Sequence, residues 1–110
     1  MAKAQYWQRG ETIDYVNTGS DTIEANEVVV FGSHVGIAAT DIEPGEVGSL
    51  AVSLVWELTK DSAAITLGAD VYVDTDGEAS ATQGTGMVLA GYAIEAAAAD
   101  AETVKVKLLG

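Results

Sequence analysis

The order of apolar and polar residues along the chain is typical of short β-strands separated by polar turns. Between Ser49 and Glu57 every second residue is apolar, which is the spacing that a strand with one buried face requires. The apolar face of this segment is Leu50, Val52, Leu54 and Trp56. We expect Val52, Leu54, Trp56, Val71 and Val106 to lie in the core. The same reasoning predicts strands near 4–8, 12–16, 27–31, 34–39, 47–57, 71–74, 87–94 and 103–108.

Helix signals are scarce by comparison. Residues 60–67 end at Gly68, and residues 95–102 are rich in alanine, so each could form at most one or two short helical turns. Polar turns separate the predicted strands, and Phe31 to His34 is typical of a tight hairpin. The sequence therefore predicts an all-β fold, a single small antiparallel β-barrel or sandwich.

The chain also repeats part of its own pattern. A valine-rich segment followed by Gly36-Ile37-Ala38 resembles a second one followed by Gly91-Tyr92-Ala93. When the two glycines are aligned, Val52 and Val106 fall within one residue of register. Although small β proteins often repeat such short motifs by chance, we expect a duplicated unit and a domain built from two similar halves.

Size and charge narrow the classes of function. A chain of 110 residues fits one domain, and the absence of cysteine excludes disulfides and thiolate metal sites. The formal charge of −12 is divided equally between the two halves, and such a surface repels phosphate, which argues against binding to nucleic acid or to an anionic membrane. We find neither an apolar run of about 20 residues nor a signal peptide, so synthesis in the cytoplasm is expected.

Catalysis has little support in the sequence. His34 is the single histidine, and its neighbour Ser33 would point to the opposite face of a strand, where it could not act as a nucleophile activated by that histidine. Carboxylate pairs are abundant through composition alone. We expect no enzymatic activity and no cofactor.

One acidic turn raises the question of a metal. Asp74, Asp76 and Glu78 surround Gly77, and Ca²⁺ prefers several oxygen ligands from a short loop with a glycine. The further ligands of a full calcium-binding loop are missing. An acidic hairpin turn accounts for the same residues, so the sequence leaves both interpretations open.

The first ten residues hold the most suggestive binding chemistry. Tyr6, Trp7 and Arg9 lie close together in a segment that could form an extended N-terminal arm, and these residue types are enriched at protein–protein hot spots. Such an arm could contact a partner, or its residues could form the first strand of their own barrel and pack internally. We take Tyr6, Trp7 and Arg9 as the candidate protein-binding residues.

Over nearly its whole length the chain resembles the small phage capsid cement, or decoration, proteins. No single motif is a catalytic signature, and the resemblance depends on the order and spacing of the motifs together. Trp56 and Thr59 depart from the pattern, in which Phe or another apolar residue and Pro are more usual, and this affects packing only. The resembling segments are 8–15, 28–30, 35–38, 45–46, 55–60, 67–74, 91–95 and 103–108.

The resemblance implies a protein of the virion that binds the outer surface of an assembled phage head and stabilises it by bridging major capsid protein subunits. It also implies a homo-oligomer, with a trimer favoured. Tyr6, Trp7 and Arg9 would then contact the capsid or a neighbouring subunit. The alternative function is a virion tail or host-surface module that recognises glycans through exposed Tyr and Trp.

Overall fold

The computed structural model describes residues 1–109 and consists of two antiparallel β-sheets. The all-β prediction is confirmed. No residue from 1 to 109 is helical, so the two segments that could have formed helical turns, residues 60–67 and residues 95–102, are irregular connectors. The nine strands are β1 (Thr12–Val16), β2 (Val28–Phe31), β3 (His34–Ala38), β4 (Val47–Ala51), β5 (Val55–Thr59), β6 (Asp70–Val73), β7 (Ala79–Ser80), β8 (Val88–Ala93) and β9 (Thr103–Leu108).

The two sheets share one topology. The first has the order β1-β4-β3-β2 and the second has the order β5-β9-β8-β6-β7. Strands β1, β2, β3 and β4 therefore correspond to β5, β6, β8 and β9, and β7 is an addition in the second half. Two halves with the same strand order match the duplication that the sequence predicted.

The irregular connections repeat as well. Before β2, Asn26 has a φ of 74° and its amide donates to the carbonyl of Ala38 at 2.7 Å. Before β6, Gly68 has a φ of 81° and donates to Ala93 at 2.8 Å. Asn and Gly are the residues that adopt this left-handed conformation most readily, which explains why these two types occupy the position.

The structural register corrects the alignment made from sequence. Ala38 lies opposite Leu50 in the first sheet, and Ala93 lies opposite Val106 in the second. Val106 is therefore the counterpart of Leu50, not of Val52. The difference arises because the connector before β9 is longer than the one before β4, and a short gapped match cannot locate the insertion.

The core consists of two apolar clusters that share strand β3. Val35 and Ile37 on one face of β3 pack into the larger cluster with the second sheet, while Ala38 on the other face belongs to the smaller cluster of the first half. The expected core residues Val71 and Val106 are fully buried and Val52 is buried. Alternation in β9 places Val104 and Leu108 inward with Val106.

The predicted strand 47–57 is wrong in its middle. The chain leaves the first sheet after Ala51, turns, and enters the second sheet at Val55. Leu54 lies in the turn with a φ of 74° and is 53% exposed, so its assignment to the core is wrong as well. Trp56 is half-buried, and its indole N–H donates to the carbonyl of Ser53 at 2.9 Å. The alternation of apolar and polar residues continues where the chain passes from the first sheet to the second. The sequence pattern cannot distinguish such a passage from one long strand.

The predicted strand 4–8 is absent from the monomer. Residues 1–9 have no regular structure, and the first backbone pairing that we find is the amide of Val52 donating to Glu11 at 3.0 Å. Strand propensity alone does not create a strand when no neighbouring strand offers its backbone groups. Conversely, the two-residue strand β7 was not predicted, because it depends on pairing with β6.

Candidate functional site

The N-terminal arm, residues 1–9, carries the candidate binding residues at the surface of the molecule. The side chains of Tyr6 and Trp7 are 72% and 86% exposed. Arg9 forms an ion pair with Glu11 at 3.5 Å, and both side chains are largely exposed. An exposed pair of this kind contributes little to stability, so Arg9 is available for other contacts.

The arm presents two exposed aromatic rings and a guanidinium, whose chemistry is suited to binding. Large aromatic side chains contribute much apolar area on burial, and Arg offers several donors in a planar arrangement. Residues of these types are enriched at protein–protein interfaces.

His34 is positioned by the hairpin between β2 and β3. It is exposed, and its ring centroid lies 6.1 Å from that of Phe31, which in turn packs 6.3 Å from Tyr15. Ser33 is exposed in the turn beside it. His34 therefore extends a row of aromatic contacts on the first sheet.

The acidic turn between β6 and β7 is organised by its own backbone. The Oδ1 atom of Asp74 accepts from the amide of Asp76 at 2.9 Å and from that of Glu78 at 3.0 Å. The amide of Gly77 also donates to the carbonyl of Asp74 at 3.0 Å, and Gly77 has a φ of 84°. Asp74 thus stabilises the turn, and over residues 1–109 we find no group of three or more His, Asp or Glu side chains arranged to hold a metal ion.

A cleft of about 410 Å³ lies along the outer edge of β5. Its walls come from three separate segments: residues 26–28 before and at the start of β2, residues 57–59 of β5, and residues 76–78 of the β6–β7 turn. We call it the β5 cleft. Its carboxylates are Glu27, Glu57, Asp76 and Glu78, and no basic residue lines it.

Sequence reasoning identified only one wall of the β5 cleft, the acidic turn that holds Asp76 and Glu78. Glu27 and Glu57 lie far from this turn along the chain and become its neighbours only because the two halves meet at this point. Gly77 contributes to that meeting, since a Cβ atom there would lie 2.8 Å from the Cβ of Val28. The absence of a side chain at Gly77 lets the second half approach the first.

No helix that could cross a membrane occurs in the part of the chain that the structure describes.

A small acidic β scaffold that presents aromatic and basic side chains on an unpaired segment defines a binding or structural protein. The chain belongs to the phage cement protein family, whose sequence profile matches residues 7–108. The match includes Trp7 and Arg9 of the arm and both β-sheets. No curated protein and no solved structure is significantly similar to the chain.

Family membership gives the protein a structural role associated with the phage capsid and a place in the virion. It confirms the resemblance seen in the sequence.

Proposed function

We propose that the protein binds the outer surface of an assembled phage head, bridges neighbouring major capsid protein subunits and acts as a trimer. Family membership supports a capsid role. A ligand that binds the assembled shell and not its separated subunits stabilises the shell by mass action. Many copies on one shell make modest individual contacts sufficient.

The N-terminal arm is the proposed attachment element, and Tyr6, Trp7 and Arg9 are its contacts to the capsid or to a neighbouring subunit. The observation that carries this proposal is the exposure of two large aromatic rings on a segment that pairs with neither sheet of its own molecule. Burying a large apolar side chain against a partner contributes about 1.5–3 kcal/mol. The aromatic rings of the arm are not buried against their own molecule, so their apolar surface can be buried against a partner.

The body of the protein suits the transmission of force between subunits. Its two sheets are joined by a core in which Val35, Ile37 and Val71 are almost completely buried. A close-packed interior has low compressibility and resists deformation. A bridge of this kind raises the free energy needed to separate the subunits that it contacts.

The test uses purified heads stripped of the protein. Full-length protein is expected to bind them and raise their heat resistance, whereas a variant lacking residues 1–9 remains folded and does not bind. Tyr6→Ala, Trp7→Ala and Arg9→Ala each weaken binding, and Leu67→Ala, which truncates an exposed apolar residue of the body, serves as the matched control. Heads that withstand heat equally well with and without the protein would contradict the proposal. Binding to host cells or glycans, and not to heads, would favour the tail-module alternative.

A further inference from the structure

We propose that the N-terminal arm of one copy pairs with the open edge of β5 in a second copy and lies in its β5 cleft. This inference rests on the proposed function and names the partner of the arm within the oligomer. Contact with the shell would then be made by the assembled oligomer.

Charge is divided sharply between the arm and the body. The first nine residues contain two of the five basic residues, Lys3 and Arg9, and none of the 17 acidic residues. The rest of the chain carries all 17 acidic and three basic residues, a formal charge of −14. The arm of one copy is therefore complementary in charge to the body of another, which favours encounter and orientation.

The β5 cleft brings together four carboxylates from three segments and is lined by no basic residue. Over residues 1–109 the ion pairs are Arg9 with Glu11 and Lys105 with Glu95, so the carboxylates of Glu57, Asp76 and Glu78 have no basic partner. Val28 and Leu58 add apolar surface to the walls. A segment that carries both basic and aromatic side chains matches such a lining.

Strand β5 also offers backbone groups. It is the terminal strand of the second sheet, paired with β9 on one side only. Immediately after β5 the outer side is closed, because Lys60 forms a parallel bridge to Ala79 and the amide of Asp61 donates to the same residue at 3.0 Å. The open stretch is thus confined to Val55–Thr59, the length of one short strand.

The arm has the properties of the missing strand. Residues 4–8 carry strand-forming aromatic residues and contain neither Pro nor Gly, yet they pair with nothing in the monomer. An unpaired strand edge accepts an extended segment through main-chain hydrogen bonds, with side chains filling adjacent pockets. The prediction of a strand at 4–8, wrong for the single chain, would be fulfilled in the oligomer.

The exposure of the arm favours pairing between copies. Tyr6 and Trp7 remain 72% and 86% exposed on a single chain, so the arm does not dock on its own body. Each copy has one arm and one β5 cleft, and such a head-to-tail contact generates a closed ring when the rotation between copies permits. This geometry is compatible with the trimer proposed above.

Charge reversal in the full-length protein tests the pairing. Sedimentation velocity is expected to show an oligomer for the natural sequence, and about tenfold or greater weakening for Arg9→Glu and for the double variant Glu57→Lys with Glu78→Lys, since each juxtaposes like charges. Combining Arg9→Glu, Glu57→Lys and Glu78→Lys in one chain restores association, because every reversed arm then meets a reversed cleft. Glu43→Lys is the matched control, as it introduces the same kind of charge reversal in an exposed turn that is not part of the cleft lining. Unchanged association in the cleft variant, or a monomeric natural protein, would overturn the inference.

The absence of cysteine allows a direct positional test. Gln8→Cys protein mixed with Val55→Cys or with Thr59→Cys protein, the two ends of the open edge, should form a disulfide-linked heterodimer in one of the two mixtures on mild oxidation, whereas Gln8→Cys with Glu43→Cys should not. Equal cross-linking in all three mixtures would refute the assigned position.

Head binding separates this inference from the proposed function. If the cleft variants associate as the natural protein does and still bind heads, the β5 contact is refuted and the proposed function is not. Arm-dependent association in a protein that does not bind heads refutes the capsid function and supports the β5 contact.

Discussion

Asn17 and Lys60 occupy equivalent positions in the two halves and perform the same structural task with different chemistry. Each directly follows the first strand of its half, and each is at most 5% exposed. The backbone amide of Asn17 donates to the carbonyl of Glu46 at 3.0 Å, and that of Lys60 donates to the carbonyl of Glu102 at 3.0 Å. Each of these glutamates is the last residue before the last strand of its half. The amide nitrogen of the Asn17 side chain donates to the carbonyls of Ile42 at 2.9 Å and Asp21 at 2.8 Å.

The Lys60 ammonium reaches further across its connector. Its Nζ atom lies 2.9–3.2 Å from four backbone carbonyls, and its three protons can bond three of them at once. These carbonyls belong to Asp61, Ala98, Ala99 and Ala101. The longer, alanine-rich connector has no side chains of its own to satisfy these groups, and a long cationic side chain replaces the short amide of the first half.

Lys60→Met should therefore destabilise the protein by about 2–4 kcal/mol, because it removes charge-assisted hydrogen bonds and leaves partly buried carbonyls without a donor. Asn17→Ala should cost about 1–3 kcal/mol for the same reason. Denaturant unfolding measures both free energies.

Hydrogen exchange locates the two effects. Faster exchange is expected in residues 95–102 for the lysine variant and in residues 40–46 for the asparagine variant. Lys105→Met is the control, since that lysine is exposed and bonds only to Glu95 at 3.2 Å. If both buried variants loosened the same connector, the proposed equivalence would be wrong.

Gly91→Ala should prevent stable folding or cost more than about 4 kcal/mol, which exceeds the roughly 1–3 kcal/mol that overpacking in a core typically costs. A Cβ atom at Gly91 would lie 1.9 Å from the carbonyl oxygen of Lys107, which belongs to the adjacent strand and cannot yield as a flexible side chain could. Circular dichroism and thermal unfolding measure the change. Gly10→Ala, where a Cβ atom meets nothing within 4 Å, should change Tm little; a comparable loss there would show that the strand contact is not the cause.

Leu54→Asn should stabilise the protein by about 0.5–1 kcal/mol. The left-handed conformation costs an ordinary residue about 1–2 kcal/mol, and Asn tolerates it better, as Asn26 does in this protein. Part of the gain is offset by lost apolar contacts of a side chain that is 53% exposed. Chemical denaturation compares it with Leu67→Asn, an exposed leucine without a positive φ, for which no gain is expected. Equal shifts in both variants would exclude relief of backbone strain.

Trp7 should report docking of the arm by fluorescence. The protein has two tryptophans, and Trp56 is half-buried with a hydrogen-bonded indole, so Trp56→Phe leaves Trp7 as the single, exposed emitter. Its emission should shift to shorter wavelength and become protected from iodide when the protein associates or binds heads. The Trp7→Phe protein, which retains only Trp56, should show no comparable shift. An arm that stays fully quenchable in the bound state would contradict its role as an anchor.

The sequence by itself determined the fold class, the repeat and most strand positions. Alternation in Val104, Val106 and Leu108 predicts their burial because side chains of a strand point to opposite faces, whatever the strand pairs with. The turn at Gly77 was likewise predictable, since this residue has the positive φ that glycine adopts without steric cost. The arm residues Tyr6, Trp7 and Arg9 were identified by their chemistry, and their binding role remains a prediction.

Only the tertiary structure decided which strands meet and which residues become neighbours across the two halves. Pairing depends on backbone groups offered by distant segments, and so residues 4–8 form no strand in the monomer while Ala79–Ser80 do. The passage between sheets at Leu54 and the β5 cleft both lie where the first half of the chain meets the second, so neither could be read from a local pattern. Local periodicity describes how a segment divides its side chains between two faces, but the partner for each face is set by the packing of the whole chain.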